Sequence, residues 1–187
     1  MESENETYTG IPTAKMLLWL AMVSMVMLFA GLTSGYIVRQ AEGNWVVFEL
    51  PGMFFLSTLF IMLSSGSMYW ALHSVKKNNT SGLITGMLIT LGLGFAFCFT
   101  QFTAWSKLVE QGVFFVGNPS GSFLYVLTGL HLAHLAGGII YLIYVTFRSI
   151  QGRFNSQSYM PVQLCSIFWH FLDILWVYLF AFLYFIR

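Results

Sequence analysis

Five long runs of apolar residues constrain this chain more than any other feature. The runs extend approximately over residues 16–38, 52–72, 83–105, 123–147 and 162–186. Each run is near or above the roughly 20 residues that an α-helix needs to cross a bilayer. Only helices and closed barrels satisfy the backbone in lipid, and the alternating pattern of barrel strands does not occur. The sequence therefore predicts an all-α integral membrane protein with five transmembrane helices.

The charge content agrees with this prediction. Asp, Glu, Lys and Arg make up 8% of the 187 residues, whereas a soluble domain carries about 25%. The net charge of +1 gives no argument for a nucleic-acid partner. We interpret residues 1–14 as a polar, acidic tail and residues 15–187 as one membrane domain. Because the first apolar run is too long for a signal peptide, we expect a retained anchor.

Basic residues outside the spans predict the orientation. Five lie on the N-terminal side of the membrane and three on the other side: Lys15, Lys76, Lys77, Arg148 and Arg153, against Arg39, Lys107 and Arg187. Because cytoplasmic loops carry the excess of Lys and Arg, we expect a cytoplasmic N-terminus and a periplasmic C-terminus. His73, Lys76 and Lys77 also form a basic patch that can attract anionic lipid headgroups. The excess of basic residues on the cytoplasmic side would by itself also account for these three residues, without lipid binding.

Small residues predict where helices approach each other closely. Gly31 and Gly35 form a GxxxG pair in the first helix, and Gly82 and Gly86 form another at the start of the third. In lipid, such pairs let two backbones come into contact. We therefore expect a tight helix contact at each pair.

Three histidines and one aspartate stand inside the fourth and fifth spans: His131, His134, His170 and Asp173. A charge at the bilayer centre costs about 2.5–3.5 kcal/mol or more, so such residues face the interior of a bundle. Three interpretations are open: haem ligation by His134 and His170, a proton relay, or a network that joins the two helices. We favour the network, because His131 lacks a haem partner and the other helices offer few polar residues for a path.

Two motifs in these helices resemble subunit III of the haem–copper respiratory oxidases, in its bacterial five-helix form. Residues 169–176, WHFLDILW, are similar to the family's W-H-F-x-D-x-x-W signature. Residues 128–134, TGLHLAH, are similar to the T-G-x-H-x-x-H of the preceding helix. Residues 31–36 (GLTSGY) and 63–66 (LSSG) fit more loosely. The resemblance covers nearly the whole chain after residue 14.

The resemblance implies an accessory chain that holds no haem, copper or catalytic centre. Subunit III in that family packs against the catalytic subunit I, and its helices form a V-shaped cleft that holds phospholipids. It supports assembly, proton uptake and the lifetime of the working enzyme. The expected partners are subunits I and II, the small subunits, phospholipid and a respiratory supercomplex. Haem and copper are expected in the partner subunits, and the location is a bacterial plasma membrane.

Other functions stay open beside this one. Within the family, a quinol oxidase uses the same kind of subunit as a cytochrome c oxidase, and we favour cytochrome c as the electron donor. Outside the family, a small haem-binding cytochrome and a stand-alone transporter are the alternatives. Copurification of partner subunits would indicate an oxidase. A haem band in the visible spectrum of the purified chain would indicate a cytochrome, and flux into liposomes that contain this chain alone would indicate a transporter.

Two positions depart from the family pattern. Many members have a membrane-embedded glutamate in the first of these five helices, where this chain has Met25. Many also have a glutamate seven residues before the signature histidine, where this chain has Gln163. The missing acids put a proton role for the first helix in doubt, and they leave assembly and lipid binding unaffected.

Overall fold

Five α-helices confirm the predicted class. The computed structural model describes residues 13–41, 43, 45–48 and 50–186. The helices are α1 Thr13–Ala41, α2 Met53–Lys76, α3 Thr80–Glu110, α4 Pro119–Ile150 and α5 Met160–Phe185. All five are long and apolar enough to cross a membrane, and these ranges contain no strand. Most of the predicted acidic tail, and Arg187, lie outside the described residues.

Each helix extends beyond the apolar run that predicted it. α4 has 32 residues and is therefore about 48 Å long, whereas the hydrocarbon core of a bilayer is about 30 Å thick. The first N–H groups of a helix have no partner within the helix, so capping side chains satisfy them. Asn118 caps α4 by accepting from the Ser120 N–H, and Asn79 caps α3 by accepting from the Gly82 N–H.

A hydrogen bond joins the α2–α3 turn to the α4–α5 loop. Asn78, in the short turn between α2 and α3, has a left-handed backbone with φ 55°, which asparagine adopts more readily than most residues. Its side-chain oxygen accepts a 2.8 Å hydrogen bond from the Ser156 N–H, in the loop between α4 and α5. This bond fixes the two loops at the same end of the molecule.

α2 and α3 form the most extensive helix pair. A methyl group on Gly86 would lie 2.9 Å from the Ala71 Cβ and 3.1 Å from the Ala71 nitrogen. A methyl group on Gly82 would lie 2.7 Å from the Ser74 hydroxyl. A larger residue would overlap the α2 backbone at Gly86 and the Ser74 side chain at Gly82, so the close approach predicted from this glycine pair is confirmed.

The glycine pair of α1 makes no such approach to any other described residue. A methyl group on Gly31 would meet no atom within 4 Å, and one on Gly35 would meet Phe123 at an ordinary 3.7 Å. Among the described elements, α1 contacts only α4 and α5. The prediction of a tight contact at Gly31 and Gly35 is therefore wrong inside the chain, because Gly31 lies on the outward face of α1.

α5 is the most enclosed helix and contacts α1, α2 and α4. Its Trp169 and Trp176 are the largest fully buried side chains of the core. Gly94 of α3 leaves room for the first of them, since a methyl group there would lie 3.0 Å from the Trp169 ring. α5 thus brings its signature motif into the centre of the bundle.

Candidate functional site

The signature motif of α5 meets α2 through its two tryptophans. The Trp169 indole N–H donates to the Ser64 hydroxyl at 3.0 Å, and the Trp176 N–H donates to the Thr58 hydroxyl at 3.0 Å. Both hydroxyls donate in turn to carbonyls of the preceding turn of α2. Bulk water is absent from the hydrocarbon region, so a buried indole N–H needs a partner inside the protein. These bonds therefore fix how α5 is rotated against α2.

His170 and Asp173 both lie next to Ser65 of α2. The Ser65 hydroxyl and the His170 Nδ1 are 2.6 Å apart, and the same hydroxyl lies beside the Asp173 carboxyl. Neither oxygen of that buried carboxyl has a hydrogen-bond partner in the described part of the chain. The acid and the imidazole of α5 therefore face α2 rather than α4.

The two histidines of α4 have different surroundings. The His134 Nδ1 lies 2.8 Å from the carbonyl one turn earlier, and its ring packs against Phe29 of α1. His131 is fully buried, and its ring centre lies 5.9 Å from that of Phe97 and 5.0 Å from that of Trp176. Neither nitrogen of His131 has a hydrogen-bond partner within the described ranges.

The four predicted polar residues do not form a direct hydrogen-bonded network. Across the described chain, none of them bonds to another. The prediction of such a network is wrong in this respect, because His134 is rotated toward α1 and His170 toward α2. α4 and α5 meet instead by packing, such as that of His131 on Trp176, and by a 3.3 Å hydrogen bond from the Tyr141 hydroxyl to the Pro161 carbonyl. His134 and His170 also contact different helices rather than each other, and no group of three metal-ligating side chains occurs in the described residues.

The hydroxyl residues of α2 are the members of the site that sequence reasoning missed. Ser57 accepts a 2.8 Å hydrogen bond from the Gln101 side chain of α3. Ser67 and Thr90 lie 2.7 Å apart across the same helix pair. The recurrence of serine along an apolar helix was the available signal, but the serines alone could not say which neighbour each one would meet.

α1 is joined to α5 by a few specific contacts. The hydroxyls of Thr33 and Tyr178 lie 3.1 Å apart. Tyr36 is buried, and its ring packs edge-on against Phe182 of α5 at 5.1 Å and Phe123 of α4 at 5.9 Å. These contacts cluster in the C-terminal half of α1, so its N-terminal half is held more loosely.

Two apolar grooves lie along the line where α1 meets α5. One, of about 360 Å³, separates the N-terminal half of α1 from α4 and α5, and Leu18, Met25, Tyr141 and Phe168 are among its lining residues. The second, also of about 360 Å³, lies farther along and is lined by residues such as Phe29, Phe171 and Tyr178. Met25 thus faces a groove. Gln163 is partly buried near the start of α5.

The predicted basic patch is an exposed surface. His73, Lys76 and Lys77 are all exposed, and the His73 ring stacks on Tyr69 at 6.5 Å. The hydrogen bond between the two loops brings the exposed Arg153 to the same end of the bundle. The exposed Lys76, Lys77 and Arg153 thus lie at one end of the bundle.

Comparisons with known proteins connect this architecture to one family. The family model described as cytochrome c oxidase subunit III matches residues 45–187. A "probable cytochrome c oxidase subunit 3" of Nocardia farcinica is 32% identical over 176 residues, which cover 91% of this chain and 86% of that protein. The cytochrome c oxidase subunit 3 of a Bacillus species is 25% identical over 171 residues, covering 89% and 82%. A Rickettsia felis relative is 31% identical over 164 residues, and the match spans 57% of that longer protein.

The matched region contains α2 to α5 and both histidine motifs. It therefore includes the tryptophan, histidine and aspartate contacts between α5 and α2, and the enclosed histidine of α4. Five membrane-spanning helices agree with a multi-pass subunit of a membrane complex. The chain belongs to the cytochrome c oxidase subunit III family of the haem–copper respiratory oxidases.

Proposed function

We propose that this chain is the accessory subunit III of a proton-pumping terminal oxidase, which oxidises cytochrome c and reduces oxygen to water. The family match over residues 45–187 carries this proposal. The names of the relatives favour a cytochrome c oxidase over a quinol oxidase. The chain itself is non-catalytic, and the haem and copper belong to partner subunits. Its role is to assemble with subunits I and II and to stabilise the catalytic subunit.

Phospholipid binding is the second part of the proposal. The two grooves along α1 and α5 are apolar and suit acyl chains, so we assign the lipid cleft of the family to this line. The patch formed by His73, Lys76 and Lys77 binds anionic headgroups. Each surface cation near an anionic membrane contributes about 1 kcal/mol.

The proposed location is a bacterial plasma membrane with the N-terminus in the cytoplasm and the C-terminus in the periplasm. The exposed Lys76, Lys77 and Arg153 support this orientation, because they lie at one end of the bundle. Cytoplasmic loops carry such an excess of basic residues. Fusions of a periplasm-active reporter to the loop after α2 and to the C-terminus check the proposal: activity only at the C-terminus is expected, and the reverse pattern contradicts it.

A mild-detergent pull-down of the tagged chain tests the subunit role. We expect a large multi-span subunit to copurify with it, and the visible spectrum and metal content of the eluate should report haem and copper. A cytochrome c-binding partner distinguishes this oxidase from a quinol oxidase. Recovery of a colourless chain alone contradicts the proposal. Recovery of the chain alone with a Soret band instead favours haem bound by His134 and His170.

Native mass spectrometry of the same eluate tests the lipid headgroup site. Replacing His73, Lys76 and Lys77 together by glutamine should weaken retention of phosphatidylglycerol, by roughly fivefold for each of the two lysine charges removed. Lys107→Gln, at the other end of α3, is the matched control and should retain the lipid. Equal lipid retention in the triple variant and the control would contradict a specific role of the patch.

A further inference from the structure

Five buried polar side-chain atoms of the described chain have no hydrogen-bond partner, and they belong to Gln101, His131 and Asp173. In folded proteins, about 90% or more of buried polar groups are paired with protein or with ordered water. Unpaired groups are especially unfavourable within a membrane, where bulk water is absent. The carboxyl of Asp173 lies beside Ser65. The other three unpaired atoms are the side-chain oxygen of Gln101 and the two ring nitrogens of His131.

Gln101 and His131 lie at the same level of the bundle. The Trp105 indole N–H donates to the Thr128 hydroxyl at 3.2 Å, which aligns α3 with α4. Consecutive spans run in opposite directions, so the residue one turn before Trp105 faces the residue one turn after Thr128. These residues are Gln101 and His131. His131 also contacts Phe97, which lies one turn before Gln101 in α3, and this contact agrees with the same register.

Residues of α2 and α5 pack against these two side chains. The Gln101 amide nitrogen donates to Ser57, and the Trp176 N–H donates to the adjacent residue, Thr58. The Trp176 ring in turn lies 5.0 Å from that of His131. Gln101 is 1% exposed and His131 is 0% exposed. The Gln101 oxygen and both His131 nitrogens are therefore enclosed by four helices.

We propose that an internal water molecule binds here and links the Gln101 Oε1 to a ring nitrogen of His131. A buried water typically makes two to four hydrogen bonds to otherwise unpaired groups. The amide oxygen accepts one bond from the water, and a neutral imidazole accepts or donates the other. The water completes a polar connection from Ser57 of α2 through Gln101 of α3 to His131 of α4. This connection gives the histidine of the TGLHLAH motif a role that does not depend on the subunit function.

A high-resolution cryo-electron microscopy map of the native assembly tests the site directly. The map should show an isolated peak within about 2.7–3.2 Å of the Gln101 oxygen and of a His131 nitrogen. A direct hydrogen bond between the two side chains would overturn the proposal. Clear density for both side chains without a peak between them would also overturn it.

Coupling between variants gives an independent test. We would measure the rate at which the chain is lost from its purified assembly on heating, for Gln101→Leu, His131→Leu and the double variant. Each single variant should be lost roughly five- to tenfold faster than the wild type, because it leaves the water and the other side chain incompletely paired. The double variant should be no faster than the worse single variant. His131→Gln, which keeps an acceptor and a donor, should restore much of the lost lifetime.

His134→Leu is the matched control. It lies on the same helix, but its Nδ1 is paired with a backbone carbonyl of α4. Its effect should multiply with that of Gln101→Leu, as expected for independent sites. Independent effects of Gln101→Leu and His131→Leu would overturn the proposed link. If the leucine variants fail to assemble, the map and the His131→Gln variant still decide the proposal.

Discussion

Replacing Gly86 by alanine adds one methyl group at a point where α3 closely approaches the backbone of α2. That methyl would lie 2.9 Å from the Ala71 Cβ and 3.1 Å from the Ala71 nitrogen and Cα. Carbon atoms pack best at about 3.5–4.0 Å, so the two helices must separate by about 0.6 Å or more. Because two of the three close atoms belong to the α2 backbone, a rotamer change cannot relieve the overlap.

The separation of the helices should lower the free energy of unfolding. Inserting a methyl group into a well-packed interior typically costs about 1–3 kcal/mol. The 2.7 Å contact between Ser67 and Thr90, one turn farther along the pair, would lengthen as well. Alanine offsets part of this loss, since it favours a helix over glycine by about 0.8–1.0 kcal/mol. The loss of unfolding free energy measured for Gly86→Ala alone is therefore smaller than the energetic cost of the overlap.

Gly92→Ala is the matched control, because it makes the same change on α3 at a position with no atom within 4 Å. We would measure unfolding of the purified chain in mixed detergent micelles, by tryptophan fluorescence against the fraction of denaturing detergent. Gly86→Ala should be about 1–3 kcal/mol less stable than Gly92→Ala, the whole difference arising from the overlap. Equal stability of the two variants would refute the assignment of Gly86 as a close-contact position.

Three further substitutions test the contacts of α1 and α5. Trp169→Phe removes the N–H that donates to Ser64 and should lower the free energy of unfolding by about 1–3 kcal/mol; a smaller loss in the Ser64→Ala background would show that the bond carries the effect. Asp173→Asn keeps the shape of a side chain whose oxygens have no partner in the described chain, so copurification of partner subunits should be unchanged; loss of those subunits would show that the charge is required. Met25→Glu places a carboxyl in the groove beside α1 and should change the lifetime of the oxidase during turnover; an unchanged lifetime would show that the acid has no role at this position.

The sequence by itself determined the number, type and approximate position of the helices. A bilayer leaves few choices to an apolar run of more than about 20 residues, so five such runs give five spans. The exact ends of the helices were not predicted, because the capping residues Asn79 and Asn118 lie outside the apolar runs. Gly82 and Gly86 were also correctly predicted as a contact, since glycine pairs are a local signal for close helices.

Only the tertiary structure decided which partner each polar side chain meets. His170 and Asp173 face Ser65, His134 faces α1, and His131 packs against Phe97 and Trp176. The sequence had predicted a network among the acid and the imidazole of α5 and the two histidines of α4. The physical reason is that lipid is as apolar as the side chains that face it, so hydrophobicity does not orient one helix toward another. The rotation and register of each helix are set by packing around residues such as Gly94 and Trp169, and these contacts are not encoded in any single segment.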